Sequence, residues 1–147
     1  MTRKTDAPLP LETAVSDLLQ ATGQLLRRLR AESNPSELTW SQAVVLARLE
    51  QAGWMTTADL ARAEAVKPQS MGASLAGLEQ DGLVQRRSHP TDGRQVLYGL
   101  TDYGLRTRRQ HTLLKREWLS AAMARLDEAD RETLTAAVAI IRRLSES

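Results

Sequence analysis

The sequence predicts a mainly α fold that carries one small β-hairpin, with a helix at each end of the chain. Three observations predict it. Apolar residues recur at helical spacing over most of the length. Two β-rich runs, LVQRRS and QVLYGLT, bracket the charged, proline- and glycine-containing stretch HPTDGR. Two short helical patterns joined by a tight turn come just before that hairpin.

Taken in order, residues 1–10, MTRKTDAPLP, read as a mobile arm without the apolar centre of a signal peptide. Leu11, Val15, Leu18, Leu19, Leu25, Leu26 and Leu29 then follow helical spacing close to a heptad seam. Asn34-Pro35 breaks that helix. Thr39 and Gln42 make a capping box for a second helix, and Gly53 stops it. Thr56 and Asp59 open a short helix that runs to about Ala63. A turn through Glu64, Ala65 and Val66 leads to a helix with Pro68 at its first position. Met71, Leu75 and Leu78 form the inward stripe of that helix, and Gly82 closes it. In the hairpin that follows, Asp92-Gly93 is expected to supply the positive φ of a tight turn. Thr101-Asp102 caps a long helix with Leu105, Leu114, Trp118, Ala122 and Leu126 at helical spacing. Asp127 restarts the chain, and Leu134, Val138, Ile141 and Leu144 form the last amphipathic stripe.

The composition narrows the function. The 147 residues suit one domain, or one domain with an oligomerisation arm. Absence of cysteine removes disulfides, thiolate metal sites and thiol-oxidation switching. His89 and His111 are too few and too far apart to suggest a metal site, and no cofactor is expected. No apolar run approaches the roughly 18 residues of a membrane span, so a cytoplasmic protein without membrane contact is expected. No nucleophile–base pair, metal cluster or phosphate-binding glycine loop supports an enzyme. The net charge of +2 hides an asymmetry, because residues 82–117 carry eight basic and three acidic side chains. Such a local field suits a polyanionic partner.

The first and last helices have more apolar surface than the central helices and hairpin can cover. A second copy of the chain is the simplest cover, giving a symmetric homodimer through Leu11, Val15, Leu18, Leu134, Val138, Ile141 and Leu144. Residues 1–35 and 118–147 then form a helical dimerisation region. Residues 36–117 hold the helix pair and the hairpin, with the start of the long connecting helix.

The stretches TTADLARAEAVKPQSMGASLAGLEQDGLV and HPTDGRQVLYGLT carry a resemblance to the MarR family of transcriptional regulators. It covers about residues 11–145, and Asp92, Gly93, Arg94 and Leu100-Thr101 fill the places of that family's wing motif. The resemblance implies a winged helix-turn-helix in each subunit of a homodimer. It implies binding to near-palindromic double-stranded DNA, usually as a repressor. It also implies relief by a small aromatic or anionic effector, for which Trp40, His111 and Trp118 are the candidate pocket residues.

On this reading the helix from Pro68 lies in the major groove. Gln69, Ser70, Ala73 and Ser74 face base edges, and Lys67 clamps phosphate at the helix N-terminus. Gly72, Ala73 and Gly77 are small enough to let the helix approach closely. Many family members carry arginines near positions 73 and 77, so this helix grips with fewer charges. Arg94 at the hairpin tip suits a narrow, negative minor groove, with Asp92 pairing to Arg94 or a neighbouring arginine to hold the tip in shape. Gly93 stands where the family has a second basic residue. Of Arg86 and Arg87, period-two alternation turns only one outward, and that one touches phosphate. The competing reading is a winged-helix protein-interaction module that has lost DNA recognition.

Overall fold

The computed structural model describes residues 10–147; apart from Pro10, the expected N-terminal arm lies outside the described residues. In chain order the elements are α1 (Leu11–Ser33), α2 (Trp40–Ala52), β1 (Met55–Thr56), α3 (Thr57–Ala63), α4 (Pro68–Gln80), β2 (Val84–Ser88), β3 (Val96–Leu100), α5 (Asp102–Ala124) and α6 (Glu128–Ser145). They form two compact units. One is residues 34–114; the other combines residues up to 33 with 115–147.

The caps act where the residue chemistry places them. Thr39 Oγ1 accepts from the Gln42 amide at 3.1 Å, and Gln42 Oε1 accepts from the Thr39 amide at 3.0 Å. Gly53 takes φ 78° and donates to the Leu49 carbonyl at 2.9 Å, ending α2. Thr56 Oγ1 accepts from the Asp59 amide to start α3. In the turn between α3 and α4, Ala65 adopts φ 52°, a left-handed conformation that costs a side chain roughly 1–2 kcal/mol. The turn is short enough to require it. Asp127 accepts from the Asp130 amide at 2.8 Å and starts α6.

In unit 34–114, α2, α3 and α4 enclose one core. Val45, Leu46 and Leu49 come from α2, Leu60 and Ala61 from α3, and Met71, Leu75 and Leu78 from α4. Leu38, Leu83 and Val84 complete it, and Met55, Tyr98 and Leu100 pack against it. Each fully buried leucine contributes about 1.5–3 kcal/mol to this core.

The sheet is three-stranded and antiparallel, in the order β1-β3-β2. β1, which the sequence did not announce, pairs Met55 with Tyr98 and Thr56 with Leu97. In the hairpin Arg86 lies opposite Tyr98, and Arg87 opposite Leu97.

The hairpin tip corrects an expectation. Among the described residues positive φ occurs at Glu37, Ala65, Gly53 and Gly82, and not at Asp92 or Gly93. The connection spans residues 89–95, too long for a two-residue turn, and side chains shape it instead. His89 Nδ1 accepts from the Thr91 and Asp92 amides at 3.2 and 3.1 Å. Asp92 Oδ1 accepts from the Arg94 amide at 3.1 Å, and the Gln95 amide donates to the Asp92 carbonyl at 3.0 Å. Such side-chain-closed turns need no left-handed residue.

The base of the hairpin is clamped to α5. The Thr101 amide donates to the Leu83 carbonyl at 3.2 Å, and Thr101 Oγ1 donates to the Gly82 carbonyl at 2.6 Å. Thr101 Oγ1 also accepts from the Gly104 amide at 2.9 Å. A Cβ on Gly104 would sit 1.9 Å from the Leu83 oxygen, so only glycine permits this approach.

The helical unit is different. No residue of α6 is buried, and Leu134, Val138, Ile141 and Leu144 remain exposed. Leu11, Val15 and Leu18 of α1 are also exposed. Within this unit Arg28 lies 5.9 Å from the centre of the Trp118 ring and pairs with Glu32 at 2.8 Å.

Candidate nucleic-acid interface

The N-terminal end of α4 presents one part of the site. Lys67 is the N-cap in extended conformation, Pro68 is at the first position, and no side chain caps the helix. Its free amides therefore keep their affinity for an anion. Lys67, Pro68, Gln69, Ser70 and Ala73 are exposed, while Ser74 is half-buried. Two of the small residues behave differently from each other. A Cβ on Gly72 would meet nothing within 4 Å, whereas one on Gly77 would lie 3.2 Å from Gln42 Nε2. Gly77 therefore serves packing against α2, and Gly72 with Ala73 leaves the outer face low.

The hairpin presents the other part. The Arg94 side chain is 95% exposed, with Nε 3.5 Å from Asp92 Oδ1. Asp92 thus holds both the amide and the guanidinium of Arg94, and still leaves that guanidinium in solvent. Arg86 and Arg87 are both exposed but point to opposite faces of β2. Arg86 Nε pairs with Glu79 Oε2 of α4 at 2.8 Å. The Arg87 guanidinium lies 4.1 Å from the centre of the Trp54 ring. Between α3 and the hairpin runs a groove of about 520 Å³ lined by Thr56, Asp59, Arg62, Arg94, Gln95 and Tyr98.

Much of the remaining basic charge is spent inside the unit. Glu50 lies 3.5 Å from Arg108 Nε and 3.6 Å from Arg109 Nε, and Arg48 pairs with Glu64 at 2.7 Å. Of the basic residues in 82–117, Arg108 and Arg109 thus share Glu50 and do not add free charge to the hairpin.

Of the three candidate effector residues, Trp40 and His111 belong to the unit 34–114 and Trp118 to the helical unit. Trp40 lines a cleft of about 240 Å³ together with Val44, Glu64, Val66, Ser70 and Ser74. That lining contains neither His111 nor Trp118. His111 is buried on α5, and Trp118 belongs to the helical unit, beside Arg28. Among the described residues no group of histidine, aspartate or glutamate could hold a metal ion, and no helix is long and apolar enough to cross a membrane.

Sequence reasoning missed Trp54 and Glu79. A glycine inside a short strand is a sign of another group approaching closely, and Gly99 carried that sign. A Cβ there would lie 2.7–2.8 Å from the Trp54 ring.

A helix-turn-helix whose second helix exposes polar side chains at its start, followed by a hairpin with a solvated arginine at its tip, defines a winged helix-turn-helix DNA-binding protein. Comparison with known proteins agrees. Residues 38–96 match the model of the MarR family. An uncharacterised helix-turn-helix-type transcriptional regulator of Mycobacterium bovis is 36% identical over 129 residues, covering 88% of this chain and 90% of the relative. A helix-turn-helix-type transcriptional repressor of Mycobacterium tuberculosis is 36% identical over 100 residues, covering 67% of this chain and 68% of the relative. The crystal structure of a putative transcriptional regulator from Pseudomonas aeruginosa superposes with a TM-score of 0.81 at 31% identity, covering 95% of this chain and 99% of the other. The chain belongs to the MarR family and is a DNA-binding transcriptional regulator.

Proposed function

We propose that this protein is a cytoplasmic, homodimeric, non-enzymic repressor of a near-palindromic operator, released from DNA by a small aromatic or anionic effector. The observation that carries the reading is Arg94, held by Asp92 and almost wholly exposed at the hairpin tip. Arg94 enters the minor groove, while Gln69, Ser70, Ala73 and Ser74 read the adjoining major groove. Pro68 sets the start of that helix, and Lys67 holds phosphate beside it. Asp92 orients the tip, and Arg87 adds positive charge along β2, while Arg86 is paired with Glu79. The exposed stripes of α1 and α6 support dimerisation through residues 1–35 and 118–147, leaving 36–117 as the DNA-binding region. The cleft beside Trp40 supports an aromatic effector, since Ser70 and Ser74 of α4 line it too.

Selection from a random duplex pool at near-physiological salt tests this reading, with Arg94→Ala in parallel. The expected result is a two-fold symmetric site with half-sites about one helical turn apart. Arg94→Ala should bind it about tenfold more weakly. Failure to enrich any sequence would favour the protein-interaction module.

A further inference from the structure

Adjacent residues of β2 are used in opposite ways. Alternation along the strand places Val84 and Arg86 on the face toward α4, and Gln85 and Arg87 on the other. Arg86 is neutralised by Glu79 at 2.8 Å. Arg87 has no carboxylate partner among the described residues, and its guanidinium is stacked on Trp54. The indole is fixed from behind. Trp54 directly precedes β1, whose pairing with β3 runs Met55–Tyr98, and it fills the space that a Cβ on Gly99 would need. The Trp54 indole thus lies against both Gly99 and Arg87.

A guanidinium held over an aromatic ring keeps N–H donors available for a second partner. The stack restricts its rotamers before any ligand arrives, so less freedom is lost on binding. Ser88 opposite Val96 is the last strand pair before the tip loop, and Arg87 is one pair back. The stacked cation thus sits at the same end of the hairpin as Arg94. Its position on the strand, behind the tip, suits a phosphate flanking the groove that the tip enters.

We infer that Arg87 is the DNA-backbone contact of the wing and that Trp54 is its positioning residue, whereas Arg86 is committed to Glu79. The inference rests on the reading of the wing as a DNA probe.

The test is the salt dependence of binding by the full-length protein, measured on the selected site and on a duplex of random sequence. Each phosphate contact contributes about 0.9 to the slope of log K against log salt. Arg87→Ala should lower affinity about tenfold on both duplexes and flatten the slope by about two for a dimer. Arg86→Ala should leave the slope unchanged. Trp54→Phe should stay within about twofold of the native protein, and Arg87→Lys, which keeps the charge and loses the flat stack, should retain the slope but bind about threefold more weakly. A protein with Trp40→Phe and Trp118→Phe retains Trp54 as its sole tryptophan, and its emission should change on DNA addition. An unchanged slope in Arg87→Ala, with Arg94→Ala still impaired, overturns this inference alone. Equal affinity of Arg87→Lys and the native protein overturns the positioning role of Trp54. If Arg94→Ala is also without effect, the reading of the wing itself fails.

Discussion

Leu46, Leu60, Leu75 and Leu78 of the winged-helix unit are completely buried, whereas Leu134, Val138, Ile141 and Leu144 of the helical unit keep 40–59% of their surface in solvent. The residue types are the same and so is the helical spacing. What differs is the surroundings. In the first unit three helices and a sheet close around one interior; in the second, α6 has no buried residue. A stripe at helical spacing therefore establishes that a face is apolar without establishing what covers it. The first unit encloses its apolar side chains within one chain, and the second leaves an apolar stripe exposed.

That contrast can be broken by substitution. The largest effect is expected at Leu75→Ala, which should cost about 3 kcal/mol in urea unfolding and do so equally at all protein concentrations. Dependence on concentration there would mean that the winged-helix unit is not self-sufficient. Next, the double change Val138→Asp with Ile141→Asp should shift sedimentation from dimer to monomer and weaken operator binding about a hundredfold, because the two half-sites lose their linkage. A dimer that persists would remove α6 from the interface. The smallest effect separates the core of the winged-helix unit from its rim. Gly93 has ordinary φ, and a Cβ there would meet nothing within 4 Å. Gly93→Lys should leave the melting temperature unchanged and tighten binding about threefold at low salt, with a steeper salt slope.

Elements were legible where the code is local. The capping box at Thr39 and Gln42, the stop at Gly53 and the restart at Asp127 each depend on residues within a few positions. The stripe Met71, Leu75 and Leu78 was legible because it repeats. β1 was not, since two residues cannot show a period. The tip was misread because Asp-Gly suggests a tight turn, while His89 Nδ1 supplies the acceptor that a longer loop needs. For the candidate site, the exposure of Arg94 and its pairing with Asp92 followed from the motif. The separate uses of Arg86 and Arg87 did not. Glu79 and Trp54 reach them through tertiary packing, which alternation alone does not encode.

The clamp at Thr101 has a mechanical consequence. Within three hydrogen bonds it gathers the chain just beyond α4, the first residue before β2, the residue after β3 and the first turn of α5. With Gly104 seated against the Leu83 carbonyl, there is no slack at this joint. The helix α4 and the hairpin are therefore anchored to one and the same turn of α5.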